Sequence, residues 1–417
     1  MVLVLSASLG AGHDGAAEEL ARRLVERGYR APVVDYLACF PLRIGAALRA
    51  VYRLQLRTAP WAYEATFRVW YLGPGLRRAL TAVLEVLTRR RLGRLLADPA
   101  VRGVVSTYPL QALVLGRARR RGHLGVPVAT FVTDFGVHPL WIHPGVDLTI
   151  CVHGTSADEA RRSTGRPVVA TGPAVRPEFR RGPADRASTR RALGLPARGR
   201  VALIVAGAWG VGEVEDTFDE LHATGTWFPV AACGGNETLH ARLASRRYGL
   251  ALGWTDRMHE LMSAADVLVQ NAGGLSCMEA FAVGLPVVTF RPLAGHGRVN
   301  AARMQAAGVA EVVPHRSDLA AVLERVAGPD RDRLVAAGRG VFSGDAAAAV
   351  DRLVRDHMTR RVPYTPAPPP GGAPAPPAAV DHMTRRVPYT PAPPPGGAPA
   401  PPAAVDHMTR RVPYTPA

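Results

Sequence analysis

One pattern constrains the fold of this chain more than any other, and it occurs twice: a short continuous apolar run closes on small residues and a helix-forming segment follows. In the first half the runs are 2–5, 33–35, 103–106, 126–133 and 168–171; in the second they are 201–206, 228–233, 267–270 and 287–290. Runs without polar alternation suit strands covered on both faces, the condition of a parallel sheet whose crossovers are helices. The alternation predicts an α/β protein with two doubly wound, Rossmann-like domains facing a cleft, where a ligand would bind. The 417 residues, 47% of them hydrophobic, exceed one ordinary core. The boundaries read from this pattern are an N-terminal domain over 1–172, a Pro-, Gly- and Arg-rich connection over 173–199, a C-terminal domain over 200–355 and a tail over 356–417.

The tail carries no fold information. Asp356-His357-Met358-Thr359-Arg360-Arg361-Val362-Pro363-Tyr364 recurs from Asp381 and again from Asp406, a period of 25 residues (406 − 381 = 25). The Pro-, Gly- and Ala-rich stretches between the copies cannot bury a core, and a disordered, Pro-rich C-terminal segment is expected.

Lys+Arg total 51 against 34 Asp+Glu, a formal charge of +17, and every one of the 51 is arginine. Such a surplus calls for an anionic lipid surface, nucleic acid or phosphorylated substrates. Nucleic acid is disfavoured, because the chain shows no nucleic-acid-binding module. Cys39, Cys151, Cys233 and Cys277 lack metal or redox spacing, which suits a reducing compartment. The chain shows no signal peptide pattern and no apolar run near the roughly 18–20 residues a membrane span needs. A cytoplasmic protein, peripheral on the inner face of the cell membrane, is expected. Residues 41–96 interleave arginine with aromatics, among them Tyr52, Arg53, Trp61 and Trp70. That is the composition of an interfacial segment, although an ordinary helical layer with snorkelling arginines would read the same way.

Two glycine turns compete as the nucleotide site. Gly10-Ala11-Gly12-His13-Asp14-Gly15 reads as a loop before a helix over 15–27 and fits the dinucleotide fingerprint. Asp35 lies twenty residues beyond Gly15 (35 − 15 = 20), and taken alone the pattern suggests an NAD-dependent dehydrogenase. His13 would crowd a pyrophosphate there. The stronger candidate lies after run 267–270, where Asn271-Ala272-Gly273-Gly274-Leu275 leads into a helix. Two glycines admit phosphate oxygens to the backbone, and the helix start presents free N–H groups. Glu279 falls where a carboxylate could accept from two ribose hydroxyls, or simply complement the helix dipole. Trp254 could stack on a base or fill a gap. Gly207 and Gly210 suggest a second close-approach turn.

These residues resemble a known family. Ser6-Ala7-Ser8-Leu9-Gly10-Ala11-Gly12-His13 resembles the N-terminal motif of the family 28 glycosyltransferases. Thr133-Asp134-Phe135-Gly136-Val137-His138-Pro139-Leu140-Trp141-Ile142-His143-Pro144-Gly145-Val146-Asp147 resembles the branch of bacterial diacylglycerol glucosyltransferases and plant monogalactosyldiacylglycerol synthases. The Gly273-Gly274 pair, Glu279 and Gly284-Leu285-Pro286 resemble the donor half; the likeness covers about residues 1–327. It implies a GT-B fold and metal-independent, inverting transfer of a hexose from UDP-glucose or UDP-galactose, a co-substrate rather than a cofactor, to a lipid acceptor. Polyprenyl-linked and natural-product acceptors are the alternatives within the class, and a nucleotide-binding protein without activity lies outside it. No metal site is expected: the one Asp-x-Asp, Asp330-Arg331-Asp332, lies beyond the site, and His138 and His143 are poorly spaced for a metal.

The resemblance implies His13 as the base that deprotonates the acceptor, with Asp134 orienting it, stabilising its charge or serving as base itself; imidazole exchanges a proton near neutral pH. Gly273, Gly274 and Leu275 would hold the diphosphate, assisted by His296 or Arg298. Gly12, Tyr52, Arg53, Trp61, Trp70 and His138 are the expected acceptor and membrane contacts. One stretch departs from the family pattern. Where the lipid branch has Pro-Gly-Gln-Glu before a donor-contacting asparagine, this chain reads Leu293-Ala294-Gly295-His296-Gly297-Arg298-Val299-Asn300.

Overall fold

The computed structural model describes residues 1–69, 73–181 and 185–360. The first sheet holds β1 (Val2–Ser6), β2 (Val33–Asp35), β3 (Gly103–Ser106), β4 (Val128–Val132), β5 (Leu148–Cys151) and β6 (Val168–Ala170), in the order β2-β1-β3-β4-β5-β6. The second holds β7 (Arg200–Val205), β8 (Trp227–Ala232), β9 (Leu250–Leu252), β10 (Val267–Gln270), β11 (Val287–Thr289) and β12 (Glu311–Val312), in the order β12-β11-β10-β7-β8-β9. Every ladder in both sheets is parallel. All residues of β1, β4 and β10 are buried, as strands between two helical layers must be.

The strand order reverses at the β1/β3 border in the first sheet and at the β7/β10 border in the second. Connections leave a reversal point on opposite faces of the sheet, which opens a crevice beyond the strands' carboxyl ends. The two halves meet with Phe135 edge-on to Phe281 at 6.4 Å and with Arg303 paired to Glu159 at 2.7 Å.

The first helix, α1 (Ala11–Glu26), starts four residues before the sequence pattern places it. Gly10 takes the cap position, and Asp14 in the first turn accepts from the Ser6 hydroxyl at 2.5 Å. A carboxylate in that turn suits the positive end of the helix. His13 therefore sits in a helix turn and not on a loop. Asp35 is accounted for structurally: it caps the short turn Tyr36–Cys39 and pairs with Arg49 at 2.6 Å.

The arginine- and aromatic-rich segment folds as α2 (Ile44–Thr58), α3 (Pro60–Val69) and α4 (Pro74–Leu96). The last described helix, Ala346–Arg360, returns to the N-terminal half. There Tyr29 donates to Asp351 at 2.6 Å and Arg27 pairs with Asp345 at 2.8 Å. Residues 346–355, grouped by sequence with the second domain, thus pack on the first, and 356–360 of the first repeat copy close the same helix. The disorder expected of the tail concerns residues from 361 on, outside the described residues. Among the described residues no helix is long and apolar enough to cross a membrane.

Candidate active site

The two crevices face each other and merge into one cleft of about 540 Å³. The N-terminal half contributes Gly10 to Ala16 and Glu18, at the cap and first turns of α1, together with Thr133 and Asp134; the C-terminal half contributes Gly207, Trp254 and the 272–279 segment. Beside it an apolar channel of about 280 Å³ runs among Tyr36, Phe40, Tyr52, Phe67 and Tyr108. Leu9, His13, Tyr52, Asp134 and His296 belong to the walls of both cavities. A hydroxyl at the end of the channel and a nucleotide in the cleft would therefore meet at His13.

Tertiary contacts set the tautomer of His13. Its Nδ1 lies 3.0 Å from the Thr107 carbonyl oxygen and 3.0 Å from Thr133 Oγ1. A carbonyl can only accept, so Nδ1 carries a proton, and in the neutral tautomer this leaves the lone pair on Nε2. Tyr108 (5.0 Å, edge-on) and Trp141 (6.2 Å) wall the ring. Thr107 and Tyr108 follow β3, the other strand at the reversal point. Sequence reading missed them because nothing local marks a carbonyl as a histidine partner.

Asp134 is buried two residues beyond β4 and does not hydrogen-bond His13. Its Oδ2 accepts from Trp141 Nε1 at 3.1 Å and its Oδ1 from Asn300 Nδ2 at 3.2 Å. Burial alone would raise its pKa, but the neighbouring His13, His296 and His138 rings, when protonated, and the Asn300 hydrogen bond hold it below the usual carboxylate range. Asp134 thus orients Trp141 and Asn300 directly. His138 Nε2 is 4.0 Å from Asp134, and burial holds its pKa down at about 4 despite that carboxylate, so it is neutral at pH 7.

Asn300 is committed to the seam between the halves. Its Oδ1 accepts from Gly136 N at 2.9 Å and its Nδ2 also reaches Ala272 O at 3.3 Å, so the amide expected to meet a donor sugar is already engaged. His296 opens the helix His296–Ala306 and lines both cavities. Arg298 is exposed and lines neither, which removes it as a direct partner for the diphosphate in this geometry.

The donor-side turn follows the expected pattern. Gly273 has φ +75°, and its N–H donates to Gln270 Oε1 at 2.5 Å. A Cβ there would lie 2.6 Å from Asn300 Cβ, so glycine is required. Gly274 caps the helix Leu275–Val283, leaving its first N–H groups facing the cleft. Glu279 lines the cleft, and burial pushes its carboxyl up to about 7 against the opposing influence of Arg176. Gly207, at φ +67°, borders the cleft with open space beside it, and Trp254 stands at the rim 69% exposed. Gly210 does not face the cleft. A Cβ on it would lie 2.5 Å from the Cys233 carbonyl oxygen, and its own carbonyl accepts from Asn236 Nδ2 at 2.9 Å, a turn-to-turn contact.

Of the acceptor-side residues, Gly12 meets Leu275 at the cleft floor, with its Cβ position 3.4 Å from Leu275 Cβ. The same leucine would be 2.7 Å from a Cβ at Gly15. The N-terminal glycine turn is thus packed at Gly12 and Gly15 against Leu275 of the opposite half, while Gly10 to Gly15 also line the cleft. Tyr52 lines both cavities; Arg53 is half-buried, and Trp61 is 76% exposed on α3. Trp70 lies outside the described residues.

Residues 13–175 match the family model described as monogalactosyldiacylglycerol (MGDG) synthase, and residues 224–330 match the glycosyltransferase family 28 C-terminal domain. The processive diacylglycerol beta-glucosyltransferase of Bacillus subtilis (strain 168) is 27% identical over 334 residues, 76% of this chain and 84% of that protein. The protein of the same description from Bacillus cereus (strain ATCC 14579) is 27% identical over 347 residues, 78% and 84% of the two chains. Among solved structures, MurG of Acinetobacter baumannii aligns with a TM-score of 0.52 at 16% identity, covering 85% of this chain and 99% of its own. Os79 of O. sativa, in complex with U2F and trichothecene, aligns with a TM-score of 0.56 at 14% identity, covering 86% and 100%. At such identities the structural likenesses bear on the fold alone, the two-sheet GT-B arrangement.

Proposed function

Because this chain belongs to the family 28 glycosyltransferases, with the N-terminal half of the monogalactosyldiacylglycerol synthase branch, we propose that it moves a hexose from a UDP-sugar to diacylglycerol at an anionic membrane surface, with inversion and without a metal. The observation that carries this reading is the position of His13, where the polar cleft opens into the apolar channel. The acceptor's hydroxyl gives its proton to His13 Nε2 as its oxygen attacks the anomeric carbon. The bond from that carbon to the diphosphate breaks, and UDP leaves with the electron pair. Asp134 stabilises the imidazolium, and the free N–H groups at Gly274 and Leu275 stabilise the departing charge. Glu279 accepts from the ribose hydroxyls and Trp254 stacks on the base.

The lipid side is supported by the continuity of two surfaces. Leu42, Leu48, Val51, Leu54 and Trp61 are exposed on α2, α3 and the turn before them, and Arg43 is exposed in the same turn. Leu48 and Val51 also form the wall of the apolar channel. A face that mixes apolar side chains and arginine suits anionic head groups, and its channel would admit an acyl-bearing acceptor from the bilayer. Peripheral binding on the inner leaflet is part of the proposal, as is independence of metal.

The test is UDP release from UDP-glucose and UDP-galactose, with vesicles of anionic phospholipid that contain or lack diacylglycerol. Release dependent on diacylglycerol, retained in EDTA and yielding a glycolipid of inverted anomeric configuration, is expected. Release that ignores diacylglycerol but responds to a polyprenyl phosphate would transfer the proposal to that acceptor.

Glu279 supplies a pH signature. Ribose hydroxyls donate to the ionised carboxylate, whereas burial by itself leaves the carboxyl half-protonated near pH 7. UDP affinity should therefore fall as pH drops through 7, by about tenfold between pH 8 and 6. The same titration with Glu279→Gln separates this from the ionisation of UDP itself. An unchanged slope in that variant would remove Glu279 from the ribose site.

A further inference from the structure

Two segments more than 230 residues apart in the chain meet beside the proposed transfer point. Tyr63, buried on α3, has its hydroxyl 2.7 Å from His296 Nδ1, across the boundary between the halves. One residue on, Glu64 Oε2 accepts from the Gly295 N–H at 2.5 Å, while its other oxygen is held by Arg68 at 2.8 Å. Gly295 has φ +66°, and a Cβ on it would lie 3.1 Å from both the Tyr63 and Phe67 rings. The close seating of α3 on this turn thus depends on glycine.

We propose that Tyr63 is a positioning residue for donor-sugar recognition: its phenol holds the His296 ring so that Nε2–H is presented to the hexose in transit. The inference rests on the UDP-hexose reading above and adds to it a residue from the acceptor half. In this assignment the phenol is the donor of the 2.7 Å contact, and burial keeps Tyr63 protonated to well above its ordinary range. Burial likewise lowers the pKa of His296, so the ring is neutral at pH 7. A neutral imidazole that accepts at Nδ1 must carry its proton on Nε2. His296 borders the cleft and the channel alike, which is where a sugar must lie when its diphosphate is at Gly274 and its attacker is in the channel. At the next position, a Cβ on Gly297 would be 2.9 Å from the Asn271 carbonyl oxygen, so no side chain fits where the family pattern has a carboxylate. Recognition at this turn accordingly passes to His296, and the orientation of His296 passes to α3.

The experiment titrates UDP, UDP-glucose and UDP-galactose into the full chain and into Tyr63→Phe, His296→Ala and the double variant. UDP affinity serves as the internal control, because UDP lacks the sugar. Each single substitution should weaken binding of the preferred UDP-hexose about three- to tenfold, the worth of one hydrogen bond, and leave UDP within about twofold. The double variant should lose no more than His296→Ala alone, since the phenol acts through the imidazole. Losses that multiply in the double variant, or a Tyr63→Phe loss shared equally by UDP, would overturn the assignment. Wild-type protein that binds neither UDP nor a UDP-hexose would overturn the donor reading and this inference with it. A measurement without substitution checks the same point: the nitrogen chemical shifts of His296 should report the Nε2–H tautomer, and an Nδ1–H tautomer would refute the role of Tyr63.

Discussion

His13→Gln should lower kcat by about 10²–10⁴-fold while UDP affinity stays within a few-fold, the range expected for loss of a general base. Glutamine keeps a polar side chain in the first turn of α1 but offers no basic nitrogen. The proposed diphosphate cradle lies on the other half, at Gly273 and Gly274, so the nucleotide should still bind. Single-turnover glycolipid formation from a UDP-hexose in diacylglycerol vesicles, with a parallel UDP titration, measures both quantities. Turnover close to wild type would remove His13 as the base. A second substitution probes the tautomer. Thr133→Val removes the hydroxyl 3.0 Å from Nδ1 but leaves the Thr107 carbonyl, so its loss should be far smaller than that of His13→Gln.

Asp134→Asn should lower both activity and stability, and the two effects have separate causes. Activity should fall about 100-fold, because the negative charge that favours the imidazolium is gone. Stability should fall by about 1–3 kcal/mol, the usual cost of a buried polar group left without a partner. Both Asp134 oxygens accept, one from Trp141 and one from Asn300. An amide has one oxygen, so its NH₂ group must face a donor. The pH dependence follows from the same carboxyl. Its folded pKa lies below its unfolded one, so Asp134 stabilises the fold at neutral pH, and that stability is lost as pH falls through the folded value. The variant should lack this acid-side loss in a denaturation series from about pH 7 to 3. A variant that is less stable but turns over at the wild-type rate would leave Asp134 a purely structural residue.

The donor half of the site was legible because its parts are contiguous. Strand β10, the Gly273-Gly274 turn and the helix at Leu275 form one stretch, and local rules of hydrophobic run, glycine and helix start suffice to recognise a phosphate cradle there. Glu279 follows one turn later on that helix. The His13 motif was legible for the same reason, although its glycines pointed equally to a dinucleotide. What decided against the dinucleotide was the match of residues 13–175 and 224–330 to glycosyltransferase family models.

The α/β class, the two parallel sheets and the glycine turns that make their crevices follow from the sequence alone, because the period of a strand, the start of a helix and the freedom of a glycine depend on a few neighbouring residues. The partners of the proposed catalytic groups were decided only by the tertiary structure. The Thr107 carbonyl sets the His13 tautomer, Asn300 joins Asp134 to the donor turn, and Tyr63 holds His296. These depend on which strands adjoin at each reversal point and on how closely the halves approach. That is fixed by packing between segments distant in the chain, for which no local pattern carries a signal.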